Sequence, residues 1–128
     1  MDTRSKVLNW AAAGEALGKR AKRKTPGVVV VGYFDPLLAS HVRRLEEIGA
    51  GQKLFVVVTS PAKPLLAAEA RAELVAALES VENVVVAPAD RLQDLLRLAP
   101  AGSLVLDQAS DAARTGELIR HVHARQTA

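Results

Sequence analysis

The sequence predicts an α/β fold: a three-layer sandwich with a mainly parallel sheet of four or five strands, helices on both faces, and an N-terminal helix ahead of it. Three observations carry this expectation. Val28 to Val31 and Leu54 to Val58 are apolar at every consecutive position, so both faces of each strand are buried, as in the middle of a parallel sheet. Each run is followed by a turn rich in glycine or proline and then by a segment whose apolar residues recur at helical spacing. Strand and helix alternate in this way four times, a pattern that calls for right-handed crossovers covering both faces of one sheet.

Taken in order, residues from Lys6 to Ala21 read as a helix, with Val7, Trp10, Ala13 and Leu17 on one face. Lys19, Arg20, Lys22, Arg23 and Lys24 then form a basic run, the solvated last turn of a helix whose dipole favours cations there. Thr25-Pro26-Gly27 breaks the pattern before the first strand, Val28 to Val31. The helix with Val42, Leu45 and Ile48 ends around Gly49-Ala50-Gly51, where glycine suits a left-handed cap. A second strand spans Lys53 to Thr59, and Ser60-Pro61-Ala62-Lys63-Pro64 is a turn. The next helix, Ala67 to Ser80, places Leu74, Leu78 and Val81 inside and Arg71 and Glu79 outside. Asn83 to Ala87 is a third strand, Asp90 caps a short helix with Leu92, Leu95 and Leu96, and Ser103 to Leu106 is a fourth strand ending at Asp107. A last helix, about Asp111 to Arg125, buries Leu118, Ile119 and Val122. The 128 residues thus make one domain, with 1–24 as N-terminal helix and basic run, 25–107 as core and 108–128 as C-terminal helix.

Composition narrows the function classes. The hydrophobic share of 49% with an aromatic share of only 3% requires a core of Val, Leu and Ala, and leaves few platforms on which nucleic-acid bases could stack. Cysteine is absent, so neither a disulfide scaffold nor a thiolate metal site can form, as suits a reducing cytoplasm. No apolar stretch approaches the roughly 20 residues that span a bilayer, and a cytoplasmic protein without a membrane partner is expected. His121 and His123, two apart on a helix, face different ways and do not suggest a metal site.

Function is written most densely in Gly32-Tyr33-Phe34-Asp35-Pro36-Leu37-Leu38-Ala39-Ser40-His41. A strand that turns sharply into a helix aims unsatisfied amides and the positive end of the helix dipole at whatever lies above the strand, a place that suits a phosphate. The stretch resembles the signature of the cytidylyltransferase-like nucleotidyltransferases, Gly-x-Phe-Asp-x-x-His-x-Gly-His, at Gly32, Phe34, Asp35 and His41. It departs from it at Leu38, where the first histidine belongs, and at Ser40, where the glycine belongs. The order of elements through about residue 98 is most similar to the heptose-phosphate adenylyltransferase branch, whereas the later loops and the shortened lysine loop look like those of a trimmed member.

The resemblance implies a Rossmann-like fold, an ATP or CTP ligand accompanied by Mg²⁺, a small sugar phosphate as acceptor, and edge pairing into a homodimer. It implies that His41 and Lys63 gather catalytically around the phosphates, and that Tyr33, Phe34, Asp35, Ser40, Arg71 and Thr115 contribute to nucleotide binding. Each also has a plainer reading: His41 as a capping histidine, Asp35 as the anchor of its turn, Lys63 as a solvated loop lysine, Arg71 as a surface ion-pair partner. Two functions follow. The chain either binds the nucleotide and transfers its nucleotidyl group weakly, or is a catalytically inactive homologue serving as a binding, regulatory or assembly module. Leu38, which neither donates a hydrogen bond nor carries charge, sets the two apart. Nucleic-acid binding rests only on the basic run, and a phosphoacceptor site at Asp35 or Asp107 lacks the acidic cluster it needs.

Overall fold

A computed structural model of the chain describes residues 2–100, 104–108 and 119. Five strands form one all-parallel sheet: β1 (Val7–Leu8), β2 (Val29–Gly32), β3 (Leu54–Val58), β4 (Val81–Val86) and β5 (Leu104–Leu106), in the spatial order β1-β4-β3-β2-β5. Helices α1 (Trp10–Ala21), α2 (Ala39–Gly49), α3 (Ala68–Ala76) and α4 (Leu92–Leu96) connect them. The architecture is Rossmann-like, with β1 and β5 as edges among the described residues. No described helix is long and apolar enough to cross a membrane.

Strict alternation along the strands divides the core in two. Val30, Val56, Val58 and Val84 point to the face that packs Leu45, Ala72, Val75 and Ala76 of α2 and α3. Val29, Val31, Phe55, Val57 and Val85 point to the other, against Ala13 and Leu17 of α1 and Leu95 of α4. β2 and β3 are buried at every position, which is why their sequences carry no polar interruption.

The first helix is shorter than its sequence pattern. Thr3–Lys6 is a 3-10 turn, Val7 and Leu8 pair with Val84 and Val85 as an edge strand, and the helix begins at Trp10. Asn9 decides this boundary, because its side chain accepts the Ala12 N–H at 2.8 Å as an N-cap. Asn9→Ala is expected to cost about 1 kcal/mol of stability, read from urea unfolding.

Other boundaries also move. Val81 opens β4 instead of closing the preceding helix, and α4 has Arg91 rather than Asp90 at its N-cap. Arg91 is also held by its guanidinium lying 4.2 Å from the centre of the Trp10 ring. The left-handed residue after α2 is Ala50 (φ 47), with Gly51 (φ 88) following. Gly49 instead lies where an added Cβ would sit 3.5 Å from Leu54, a close helix–strand contact. α3 is turned so that Arg71, expected outside, is fully buried and Leu74, expected inside, is 47% exposed. In the basic run Lys19, Lys22, Arg23 and Lys24 are exposed, but Arg20 is buried. Of the expected last helix, Gln108 and Ile119 are described, both helical, with Ile119 exposed; the rest lies outside the described residues.

Candidate functional site

β2 is where the order of the sheet reverses: the chain proceeds from β2 to β3 and β4 on one side, and β5 returns to pair on the other. In open α/β sheets the loops leaving the carboxyl ends of two such strands part there and leave a crevice, the usual ligand site of the fold class. The signature turn follows β2 and Asp107 follows β5, its N–H donating to the Val31 carbonyl at 2.8 Å. Topology thus brings together two segments more than sixty positions apart.

The turn is held from within. Phe34 takes a left-handed conformation (φ 50) and is buried, and the Asp35–Pro36 peptide is cis. The Phe34 ring meets the His41 ring edge-on, with centroids 5.7 Å apart and planes at 62°. His41 is 1% exposed, and its Nδ1 accepts the Leu38 N–H at 2.9 Å. A neutral imidazole accepting at Nδ1 carries its proton on Nε2, so the ring is fixed in the tautomer that donates from Nε2.

Leu38, the N-cap of α2, has no side-chain oxygen to offer the first turn. The amides of His41 and Val42 turn back to the Leu38 carbonyl at 3.0 and 3.2 Å. Those of Ala39 and Ser40 receive no side-chain cap among the described residues, and they form the anion-attracting end of an 11-residue helix. Ser40 is half-buried in the same turn, and Tyr33 is half-buried at its entry.

Asp35 and Arg71 do structural work at this end of the sheet. The Asp35 carboxylate accepts the Leu65 and Leu66 N–H groups at 2.6 and 2.8 Å. Arg71 donates from Nε to the Leu66 carbonyl at 3.1 Å, from Nη1 to the Tyr33 and Thr59 carbonyls at 2.8 Å each, and from Nη2 to Ser60 Oγ at 2.7 Å. Its Nε is 4.0 Å from Asp35 Oδ1. The pair clasps the loop of residues 60–67 to the signature turn, and Arg71, with no exposed surface, holds the frame of the site from beneath. The plainer reading of Asp35 as an anchor of its turn agrees with this geometry. A surface ion-pair role for Arg71 does not, because helix α3 turns it inward, where four hydrogen bonds receive it.

Lys63 stands exposed on the clasped loop. Thr115 lies outside the described residues, as do His121 and His123. Two groups went unassigned in the sequence. Arg44, three residues beyond His41 and so on the same flank of α2, places Nε 3.7 Å from Asp107 Oδ1; the arginine side chain is 43% exposed and the aspartate 6%. The three-residue spacing from His41 was a usable signal for Arg44. Asp107 was legible as the residue ending its strand, but its place beside β2 depends on the strand order. Among the described residues no group of three His, Cys, Asp or Glu side chains could hold a metal ion.

No protein-family model matches the chain, and no curated protein matches it.

Proposed function

We propose that the crevice beside the first turn of α2 binds the phosphates of ATP or CTP, and that nucleotidyl transfer from this site to a small phosphorylated acceptor is slow or lost. The observation that carries the reading is the first turn of α2, whose N-cap Leu38 offers the amides no side-chain oxygen and whose direction is fixed by the buried His41 ring accepting the Leu38 N–H at Nδ1. The Ala39 and Ser40 amides, joined by the Ser40 hydroxyl, the Arg44 guanidinium and the Lys63 ammonium from the clasped loop, suit a polyphosphate. Mg²⁺ would arrive on the nucleotide, since the described carboxylates form no cage and those of Asp35 and Asp107 are engaged with amides and with Arg44.

Transfer of a nucleotidyl group needs charge stabilised as it grows on the α- and β-phosphates. Leu38 supplies no donor to that charge, and a missing preorganised donor lowers the rate by about 10²–10³. From a typical turnover near ~10 s⁻¹, roughly 0.01–0.1 s⁻¹ would remain. Binding depends less on that one group. The expected result is therefore a raised unfolding temperature with Mg²⁺–ATP or Mg²⁺–CTP, together with pyrophosphate release below ~0.1 s⁻¹ in the presence of sugar phosphates. Absence of any stabilisation by either nucleotide would refute the binding, and release near ~10 s⁻¹ would refute the slow transfer.

A further inference from the structure

We propose that a second anion site lies at the opposite, amino-terminal end of the sheet, where Arg20, Arg23 and Lys53 line a cavity suited to a small phosphorylated compound or pyrophosphate. The cavity is about 330 Å³, is open to solvent, and is lined also by Gly27 and Gln52, at the entries to β2 and β3, and by Glu82. That volume lies at the lower end for small-molecule sites, so the ligand is small.

Arg20 is the reason to expect an anion here. It is 2% exposed, yet its Nε has no hydrogen-bond partner among the described residues. Its Nη2 donates to the Lys53 carbonyl at 2.5 Å, and Nη1 reaches the same oxygen at 3.5 Å. Among the described residues the only carboxylate within reach of it is Glu82, at 3.9 Å, and Glu82 is shared with Arg23, whose Nη2 is closer at 2.9 Å. Two guanidiniums thus divide one carboxylate, and the buried one receives the smaller part. A buried charge so weakly compensated is costly, and a bound anion would relieve it. Burial also pushes the Arg20 pKa below its ordinary value, with Glu82 opposing and Arg23 adding to the shift.

The surroundings leave room for such a ligand. Gly27 (φ 78) brings only backbone to the guanidinium; a Cβ there would stand 3.6 Å from both Nη atoms. The planar fork of an arginine matches two phosphate oxygens, and Arg23 and Lys53 add charge from the exposed rim. The carbonyl end of α1 acts against the anion, but its last turn already carries Lys19 and Arg20. The neighbouring cavity, which shares Lys53, is lined by Glu46 and Glu79 and does not suit an anion.

The test is calorimetric titration of the full chain with inorganic phosphate, pyrophosphate and a sugar phosphate at constant ionic strength, with amide NMR to locate the response. The expected result is saturable binding of at least one of the three, with the Gly27 and Gln52 amides shifting and the Ala39 to Val42 amides unmoved. Arg23→Gln should weaken it about tenfold, as loss of one charge-assisted contact does. Glu82→Gln, which removes the competing carboxylate, should tighten it several-fold. No binding beyond a chloride control, affinity unchanged in Arg23→Gln, affinity unchanged or weaker in Glu82→Gln, or shifts confined to residues 39–42 would each overturn the proposal. The last outcome would assign the anion to the α2 site, so the two sites stand or fall separately.

Discussion

Replacement of Arg71 by alanine is expected to lower stability by about 3–5 kcal/mol and the unfolding midpoint by roughly 10 °C or more. The side chain has no exposed surface, and its guanidinium donates to the carbonyls of Tyr33, Thr59 and Leu66 and to the Ser60 hydroxyl. Truncation strands the buried Thr59 carbonyl at a cost of about 1–3 kcal/mol and takes the donor from the part-buried Tyr33, Leu66 and Ser60 oxygens. It also removes the cation 4.0 Å from the buried Asp35 carboxylate. Arg71→Lys should recover little, because a single ammonium cannot span acceptors arranged around a planar fork. Thermal and urea unfolding of both variants measure the effect. A loss below about 1 kcal/mol for alanine would show that the clasp between the 60–67 loop and the signature turn is not held by this residue.

Leu38→His is the second large effect, expected to raise pyrophosphate release by about 10²-fold or more. Position 38 is the N-cap of α2, its backbone N–H already bonded to the His41 ring, so an imidazole there would add a donor at the opening of the helix. The substitution replaces a half-buried leucine in a turn and does not touch the strand core. A steady-state assay with Mg²⁺–ATP, Mg²⁺–CTP and sugar phosphates reads the gain. No gain in a variant that still binds nucleotide would mean that the lack of a donor at position 38 is not what limits transfer.

The sequence was most legible where composition leaves one answer. Val29 to Val31 and Leu54 to Val58 could only be central parallel strands, and the turn between Gly32 and α2 follows from them. It was least legible where a polar group is buried with its partners or where a short element borrows its order from elsewhere. Arg71 reads as a surface residue by its charge, yet three carbonyls from two loops satisfy it and thereby turn Leu74 to solvent. β1 has only two residues, which fit the periodicity of the helix that follows; pairing with β4 is a tertiary effect that a local pattern does not contain. The Arg44–Asp107 contact depends on β5 lying beside β2, a fact of topology. His41, by contrast, was legible as either a ligand or a capping group, and the contact of its Nδ1 with the Leu38 N–H is the capping one.

Backbone amide NMR during titration with Mg²⁺–ATP and Mg²⁺–CTP puts the nucleotide site to the most direct test. Saturable shifts of the Ala39, Ser40 and His41 amides are expected with at least one nucleotide; unchanged signals there at saturating concentrations of both would contradict nucleotide binding at this turn.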